Sequence, residues 1–268
     1  MLCATFPSVP VVALTATASR SDVTFIKQSL NLKTPLEIIA NPNRQNIFYE
    51  KVFRKGEDVD FFVQLLKPIV EELKEKTVAY PLTVLYLPLK WCGFAFKYFE
   101  RNLGADQYYP STAESLPENR LFAQFHAPQT RAMKDQILKE LALPTSKVRV
   151  IFAIVAMGMG VDIPSIRHVL HVGPPRTIRE YFQETGRAGR DGKSATAVLY
   201  YNNVDIAKNK AGMSEDIRTY CKLEDKCLRK FLLKCLDARE TDLNIVGHLC
   251  CCYCKNVCSC QDCLKEMQ

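Results

Sequence analysis

IFAIVAMGMGVDIPSIRHVLHVGPP, Ile151 to Pro175, reads as strand, loop and strand. Val148 to Ala153 and His168 to Val172 are short apolar runs rich in β-branched residues, the pattern of strands buried on both faces. Between them the glycine-bearing stretch Met157 to Pro164 cannot continue either strand. Downstream, Arg176 to Arg187 has helical spacing and Thr196 to Tyr200 is again a strand. Strand, helix and strand in this order and at this spacing make a right-handed crossover unit of a parallel sheet.

Working outward, the same alternation continues toward the N-terminus. Strands are expected at Val11 to Thr15, Leu36 to Ala40, Asn46 to Phe53, Thr83 to Leu87 and Asp106 to Tyr109. Helices are expected from a Ser21 cap to about Leu30, from Asp58 to Lys76, from Lys90 to Leu103, near Glu118 to Gln124, and from Thr130 to Leu141. On the second of these, Phe61, Phe62, Leu65, Leu66, Ile69, Val70 and Leu73 fall on one stripe and mark a core-facing side. Trp91, Phe94, Phe96, Tyr98 and Phe99 do the same on the next. The fold class is therefore α/β, a parallel sheet with helices on both faces. In such sheets chemistry gathers in loops beyond the carboxyl ends of the strands. Met157 to Pro164 and Gln183 to Gly192 are expected to be two such loops.

Of 268 residues, 47% are hydrophobic and the net charge is +7, values that exclude a disordered chain and permit nucleic-acid binding without requiring it. No apolar run approaches the roughly 20 residues that span a bilayer, and MLCATFPSVP lacks the basic start of a secretory signal. Of the twelve cysteines only Cys3 and Cys92 precede Cys221; the other ten lie between Cys221 and Cys263. A reduced, intracellular protein concentrates thiols where a metal sits. The break near residue 205 is thus a domain boundary as well.

The segment QETGRAGRDG, Gln183 to Gly192, places Arg187 and Arg190 among small residues at a helix end. Guanidinium forks bind phosphate bidentately and stay charged. A helix C-terminus with favourable positive charge is the plainer reading of the same residues. The neighbours favour phosphate. GMGVD, Gly158 to Asp162, resembles motif V of superfamily 2 helicases, and QETGRAGRDG resembles their motif VI. ALTATAS (Ala13 to Ser19) resembles motif III, NRQNIFYE (Asn43 to Glu50) the segment leading into the second motor domain, and TVLYLP (Thr83 to Pro88) motif IV. FAQFHAP (Phe122 to Pro128) resembles the strand-and-histidine segment before motif V. In order and spacing the set resembles the RecQ family over residues 10 to 200, and the cysteines extend the match to about Cys254.

The resemblance implies a RecA-like sheet followed by a small helical zinc-binding subdomain. It divides the chain into 1–42, a remnant of a first RecA-like domain; 43–205, the second RecA-like domain; and 206–268, the zinc-binding part with its cysteine-rich tail. It implies an ATP-dependent 3′–5′ DNA helicase that unwinds DNA in repair and recombination, with ATP and Mg²⁺ held mainly by the first domain. The partners would be single-stranded or forked DNA, with no membrane, in the nucleus or elsewhere inside the cell. Arg187 and Arg190 would reach the γ-phosphate, and Gln183 would position nucleotide or attacking water. Gly158, Gly160 and Asp162 would contact the nucleotide side, and Thr15, Ala16 and Thr17 would couple hydrolysis to domain movement. Ile154 stands where the family usually has threonine, which removes a hydroxyl beside the motif V loop. His126, His168 and His171 read as structural.

No G-x-x-x-x-G-K-[ST] phosphate loop and no DEAH-like acidic strand end occur in the chain. In the family both lie upstream of motif III, so the sequence reads as part of a helicase and is expected to be inactive alone. The other reading is a DNA-binding or regulatory paralogue without the motor. Cys227 with Cys250, Cys251 and Cys254 resembles the family's zinc set, one cysteine at a helix start plus C-C-x-x-C. His248 and Cys252 are the substitutes. Cys252, Cys258, Cys260 and Cys263 are left over, read as a disordered tail, with a second metal site as the alternative.

Overall fold

The computed structural model describes residues 9–15, 17–56, 58–154, 163, 165–238 and 247–261. Six strands form one wholly parallel sheet: β1 (Ile47–Phe53), β2 (Leu82–Tyr86), β3 (Phe122–Phe125), β4 (Val150–Ala153), β5 (Ile166–Val172) and β6 (Ala195–Tyr201). Their order is β1-β6-β5-β2-β4-β3, so β1 and β3 are the edges. Helices α1 (Arg20–Ser29), α2 (Val59–Lys76), α3 (Leu89–Leu103), α4 (Arg131–Ala142), α5 (Ile178–Thr185), α6 (Glu215–Lys222), α7 (Leu228–Cys235) and the short α8 (Cys252–Asn256) accompany them.

The strand alternation decides what each face buries. Leu85 of β2 and Val150 and Phe152 of β4 point into a core with α2 and α3. There Phe62 stacks on Trp91 with ring centroids 3.8 Å apart, and Phe99 meets Phe152 edge-on at 4.9 Å. Val84 and Tyr86 of β2 and Ile151 and Ala153 of β4 point the other way, into a core that holds Ile178, Tyr181, Ile217, Tyr220, Leu232, Leu233, Cys250 and Cys251. That second core runs without a break from the sheet, across residue 205, to the cysteine cluster. Full burial of each large apolar side chain contributes about 1.5–3 kcal/mol.

Polar ties reinforce the same junction. Lys51 of β1 donates from Nζ to the carbonyls of Tyr220 (2.8 Å), Cys221 (2.8 Å) and Leu223 (2.6 Å), closing the C-terminus of α6. Burial pushes its ammonium pKa down from the ordinary lysine value. Arg54 and Asp205 form a buried two-pronged pair at 3.0 and 2.8 Å. Arg229, on α7 and buried, donates to the carbonyls of Arg44 (2.6 Å), Gln45 (3.2 Å), Cys250 (3.3 Å) and Ile47. An isolated bridge pairs Tyr49 on the β1 edge with Cys251.

Several expectations are corrected. Val11 to Thr15 and Leu36 to Ala40 form no strand. Leu14 is 90% and Leu36 87% exposed, because β-branched runs make strands only where a sheet edge accepts their hydrogen bonds. The cap of α1 is Ser19, whose side chain accepts from Asp22 N while Asp22 bonds back to Ser19 N; Ser21 lies inside the helix. Asp106 to Tyr109 is the end of a 3₁₀ turn (Gly104–Gln107) plus one bridge from Tyr108 to Arg120. Near Glu118 to Gln124 there is a 3₁₀ turn (Pro117–Asn119) and then β3, so the strand read from FAQFHAP holds and the helix does not. Gln183 to Gly192 connects α5 to the amino end of β6, and thus lies at the opposite end of the sheet from the strands' carboxyl termini. A helix that crosses back over a parallel sheet must deliver the chain to the start of the next strand.

Candidate arginine turn and metal-binding cluster

Helix α5 begins at a Thr177 cap, whose side chain accepts from Glu180 N at 3.1 Å, and ends at Gly186. The chain then turns sharply through Gly189, at φ +58°. Gly189 N donates to Ile166 O at 2.8 Å, pinning the turn to the start of β5. From the β1 side, Arg44 donates to the carbonyls of Gly186 (3.3 Å), Ala188 (3.2 Å) and Gly189 (2.6 Å). Asn46 Nδ2 adds the carbonyls of Gly189 (2.7 Å) and Lys193 (2.8 Å). Arg167 pairs with Asp191 and, through that hydrogen bond first, holds its carboxyl below the usual aspartate range.

These contacts fix the backbone beneath the two arginines. Arg190 is exposed at the tip, whereas Arg187 is only 6% exposed. Gln183 is half-buried on the last turn of α5. The fixed loop leaves a charged, exposed fork on a rigid support, an arrangement suited to a phosphate approaching from outside. Arg44 and Asn46 were not singled out in the sequence. The one signal for them was NRQN, which reads as a strand entrance and says nothing of its partner far along the chain.

Gly189 tolerates no side chain. A Cβ there would lie 2.4 Å from Asn46 Nδ2 and 2.7 Å from the Lys193 carbonyl. Gly189→Ala is expected to destabilise the fold by about 3 kcal/mol, from the left-handed backbone and the displaced strand start together. The midpoint of denaturant unfolding reads this; a loss under about 1 kcal/mol would show that the turn is not tightly held.

The other anticipated residues are dispersed. Thr15 is exposed, Thr17 is half-buried, and Thr17 N reaches Thr15 Oγ1 at 3.3 Å. Ala16, Gly158, Gly160 and Asp162 lie outside the described residues. Ile154 is half-buried and packs against the α2–α3 core, so its extra carbon is absorbed by apolar neighbours. His171 is structural in its setting: it meets Glu184 at 2.8 Å, both buried, and stacks on Tyr86 at 4.6 Å. His168 is half-buried, and desolvation pushes its pKa down. The backbone N–H of His126 donates to Gln129 Oε1 at 2.9 Å, and its ring Nε2 lies 3.3 Å from Gln124 Oε1.

Cys227, at the start of α7, comes together with Cys250, Cys251 and Cys254, their Sγ atoms all within 4.8 Å of one another. Cys227 Sγ lies 3.3 Å from Cys250 Sγ and 3.9 Å from Cys251 Sγ. Four thiolates at Zn–S bonds of about 2.3 Å stand roughly 3.8 Å apart at the corners of a tetrahedron, so the donor set fits zinc. Hydrogen bonds with Cys227 and Cys250 hold Cys251 far below the ordinary thiol range, and those with Cys227 and Cys251 drive Cys250 far above it. Neither substitute joins the set. Cys252 belongs to no cluster among the described residues, and His248 stands with Cys258 and Cys260 instead. That second grouping corrects the expectation of a structureless tail as far as Gln261; Cys263 lies outside the described residues.

Residues 100–192 match the family described as helicase conserved C-terminal domain. A putative ATP-dependent DNA helicase Q1 of Caenorhabditis elegans is 31% identical over 215 residues, 79% of this chain and 30% of that protein. The ATP-dependent DNA helicase RecQ of Pasteurella multocida is 34% identical over 203 residues, 75% of this chain and 28% of its own length. The ATP-dependent helicase SGS1 of Saccharomyces cerevisiae is 30% identical over 246 residues, 85% of this chain and 15% of that protein. The chain thus spans less than a third of these relatives. Among solved structures, S. cerevisiae Dbp5 L327V bound to RNA and ADP BeF3 superposes with a TM-score of 0.50 at 15% identity, over 87% of this chain and 49% of that one. At that identity the likeness is one of fold, the RecA-like α/β sheet. No described helix is long and apolar enough to cross a membrane.

Proposed function

The chain belongs to the RecQ family of superfamily 2 helicases, in the part that carries the helicase conserved C-terminal domain, and from that premise we propose that it serves an ATP-dependent 3′–5′ DNA helicase as the arginine-bearing half of its motor. Residues 43–205 act as the second RecA-like domain, 206–268 as a zinc-binding subdomain, and 1–42 as the last part of a first motor domain. The observation that carries this reading is the clamped turn, with Arg190 exposed above carbonyls held by Arg44 and Asn46.

In this role Arg187 and Arg190 reach the γ-phosphate of ATP held with Mg²⁺ by the opposing domain, and Gln183 orients nucleotide or water. Gly158, Gly160 and Asp162 contact the nucleotide side, and Thr15, Ala16 and Thr17 link hydrolysis to domain movement. Cys227, Cys250, Cys251 and Cys254 hold one structural zinc ion. Single-stranded or forked DNA is the polymer partner, inside the cell and in the nucleus of a eukaryote.

A second reading is DNA binding without ATP turnover. Two measurements separate the readings. The purified chain is expected to bind single-stranded DNA in a salt-dependent manner and to hydrolyse no ATP. The longest polypeptide encoded by the transcript is expected to unwind 3′-tailed duplexes with ATP and to leave 5′-tailed ones intact. ATP hydrolysis by the chain alone would overturn its assigned half-role, and a transcript product that unwinds neither substrate would overturn the helicase reading.

A further inference from the structure

Two of the cysteines left over by the four-thiol cluster come together with a histidine. Cys258 Sγ lies 3.6 Å and Cys260 Sγ 3.2 Å from His248 Nδ1, and the three donor atoms all fall within 4.8 Å of one another. With Zn–N near 2.05 Å and Zn–S near 2.3 Å, a tetrahedral ion separates such donors by about 3.6 Å. The spacing present is therefore that of a ligand set, within a few tenths of an ångström.

The course of the chain separates this set from the first. The 3₁₀ turn His248–Cys250 carries one donor of each cluster at its two ends. Helix α8 does the same in reverse: Cys254 on it belongs to the first cluster, and Cys258 just beyond it to the second. One short loop is thus shared by two groups of soft donors.

Apolar burial does not account for the arrangement. Leu249, between the two donors of the turn, is 73% exposed, and Val257, beside Cys258, is 61% exposed. The exposed apolar residues beside the second set do little to offset the entropy of ordering it, so its ligating side chains carry more of that task. Thiolate and imidazole in combination select zinc over the hard cations.

We infer that His248, Cys258 and Cys260 form a second zinc site, separate from the Cys227, Cys250, Cys251 and Cys254 site. Its role is to fold residues 247–261 back onto the first cluster. The sequence supplies a further thiol at Cys263, in C-x-x-C spacing from Cys260; the site rests on the three described donors. It does not depend on the motor reading, since the donors lie outside residues 43–205.

The test is metal stoichiometry on the 268-residue chain, purified under reductant and without affinity-tag histidines. Elemental analysis is expected to give two zinc ions per chain, and one in Cys258→Ser/Cys260→Ser. His248→Gln tests the imidazole and is expected to lose the same ion. Circular dichroism of the variants is expected to keep the helical signal of the whole domain, because the sheet core and first cluster are untouched. Cobalt substitution gives a second readout: the double variant is expected to lose one of two thiolate-to-cobalt absorption components. One zinc in the wild-type chain would overturn the site, as would an unchanged stoichiometry in the double variant. A Cys258–Cys260 disulfide in protein isolated without reductant would overturn it too, as would loss of both ions with the fold intact.

Discussion

Arg190→Ala, in a polypeptide that also carries the phosphate loop of the proposed opposing domain, is expected to lower DNA-stimulated ATP turnover by about 10³–10⁵-fold, the range over which an arginine finger acts in phosphoryl transfer. Arg190 is exposed, and its backbone is held by groups other than its own side chain, namely Arg44, Asn46 and the Ile166 carbonyl. Truncation should therefore lower kcat far more than it lowers the melting temperature. Arg190→Lys keeps the charge but not the fork, and should recover only part of the loss. Arg187→Ala should lose comparable activity and destabilise the protein as well, because Arg187 is buried. Arg44→Ala should also lower kcat without touching nucleotide, by releasing three carbonyls of the turn. If Arg190→Ala retained more than a tenth of wild-type turnover, the phosphate-facing role would fail, and the plainer helix-terminus role would stand.

Removal of metal is expected to have the largest effect on stability. Structural zinc in thiolate sites supplies on the order of 10–16 kcal/mol of apparent binding free energy, against a total stability of about 5–15 kcal/mol for a domain. Chelation, or Cys251→Ser, should therefore unfold α6, α7 and the turn at residues 247–256, seen as loss of amide protection across 215–238 and 247–256. The effect should not stop at residue 205. Tyr220, Leu232 and Leu233 share one core with Tyr181 of α5 and with β1, and Arg229 ties Cys250 to the carbonyls of Arg44 and Ile47. Protection in α5 and β1 should fall as well. A metal-free chain with unchanged protection over 215–238 and 247–256 would refute a folding role for the ion.

Much of this was legible locally. The arginine turn is a contiguous string, and three of the four thiols fall in C-C-x-x-C, so their residue types state their chemistry. Strands β2, β4, β5 and β6 declared themselves as apolar runs because a central parallel strand is buried on both faces. What was not legible depended on partners far away in sequence. Val11 to Thr15 has the composition of a strand, but no described strand lies beside it. Asp106 to Tyr109 and Glu118 to Gln124 are short, and for such segments periodicity does not separate turn, strand and helix. Arg44 gave no sign of its task because its acceptors, Gly186 to Gly189, lie at the other end of the domain. His248 could be counted as a spare ligand, but only the fold of the 247–261 loop shows that it faces Cys258 and Cys260.

The bridge between Tyr49 and Cys251, and the Arg229 contact to the Ile47 carbonyl, have a meaning beyond stability. β1 is an outer strand of a parallel sheet, and a bare outer strand is a template for pairing with another chain. Here the cysteine loop and α7 cover that flank. A metal held by the four thiols would thus also guard against aggregation: a chain stripped of it would present β1 to its neighbours, and solubility would be lost along with shape.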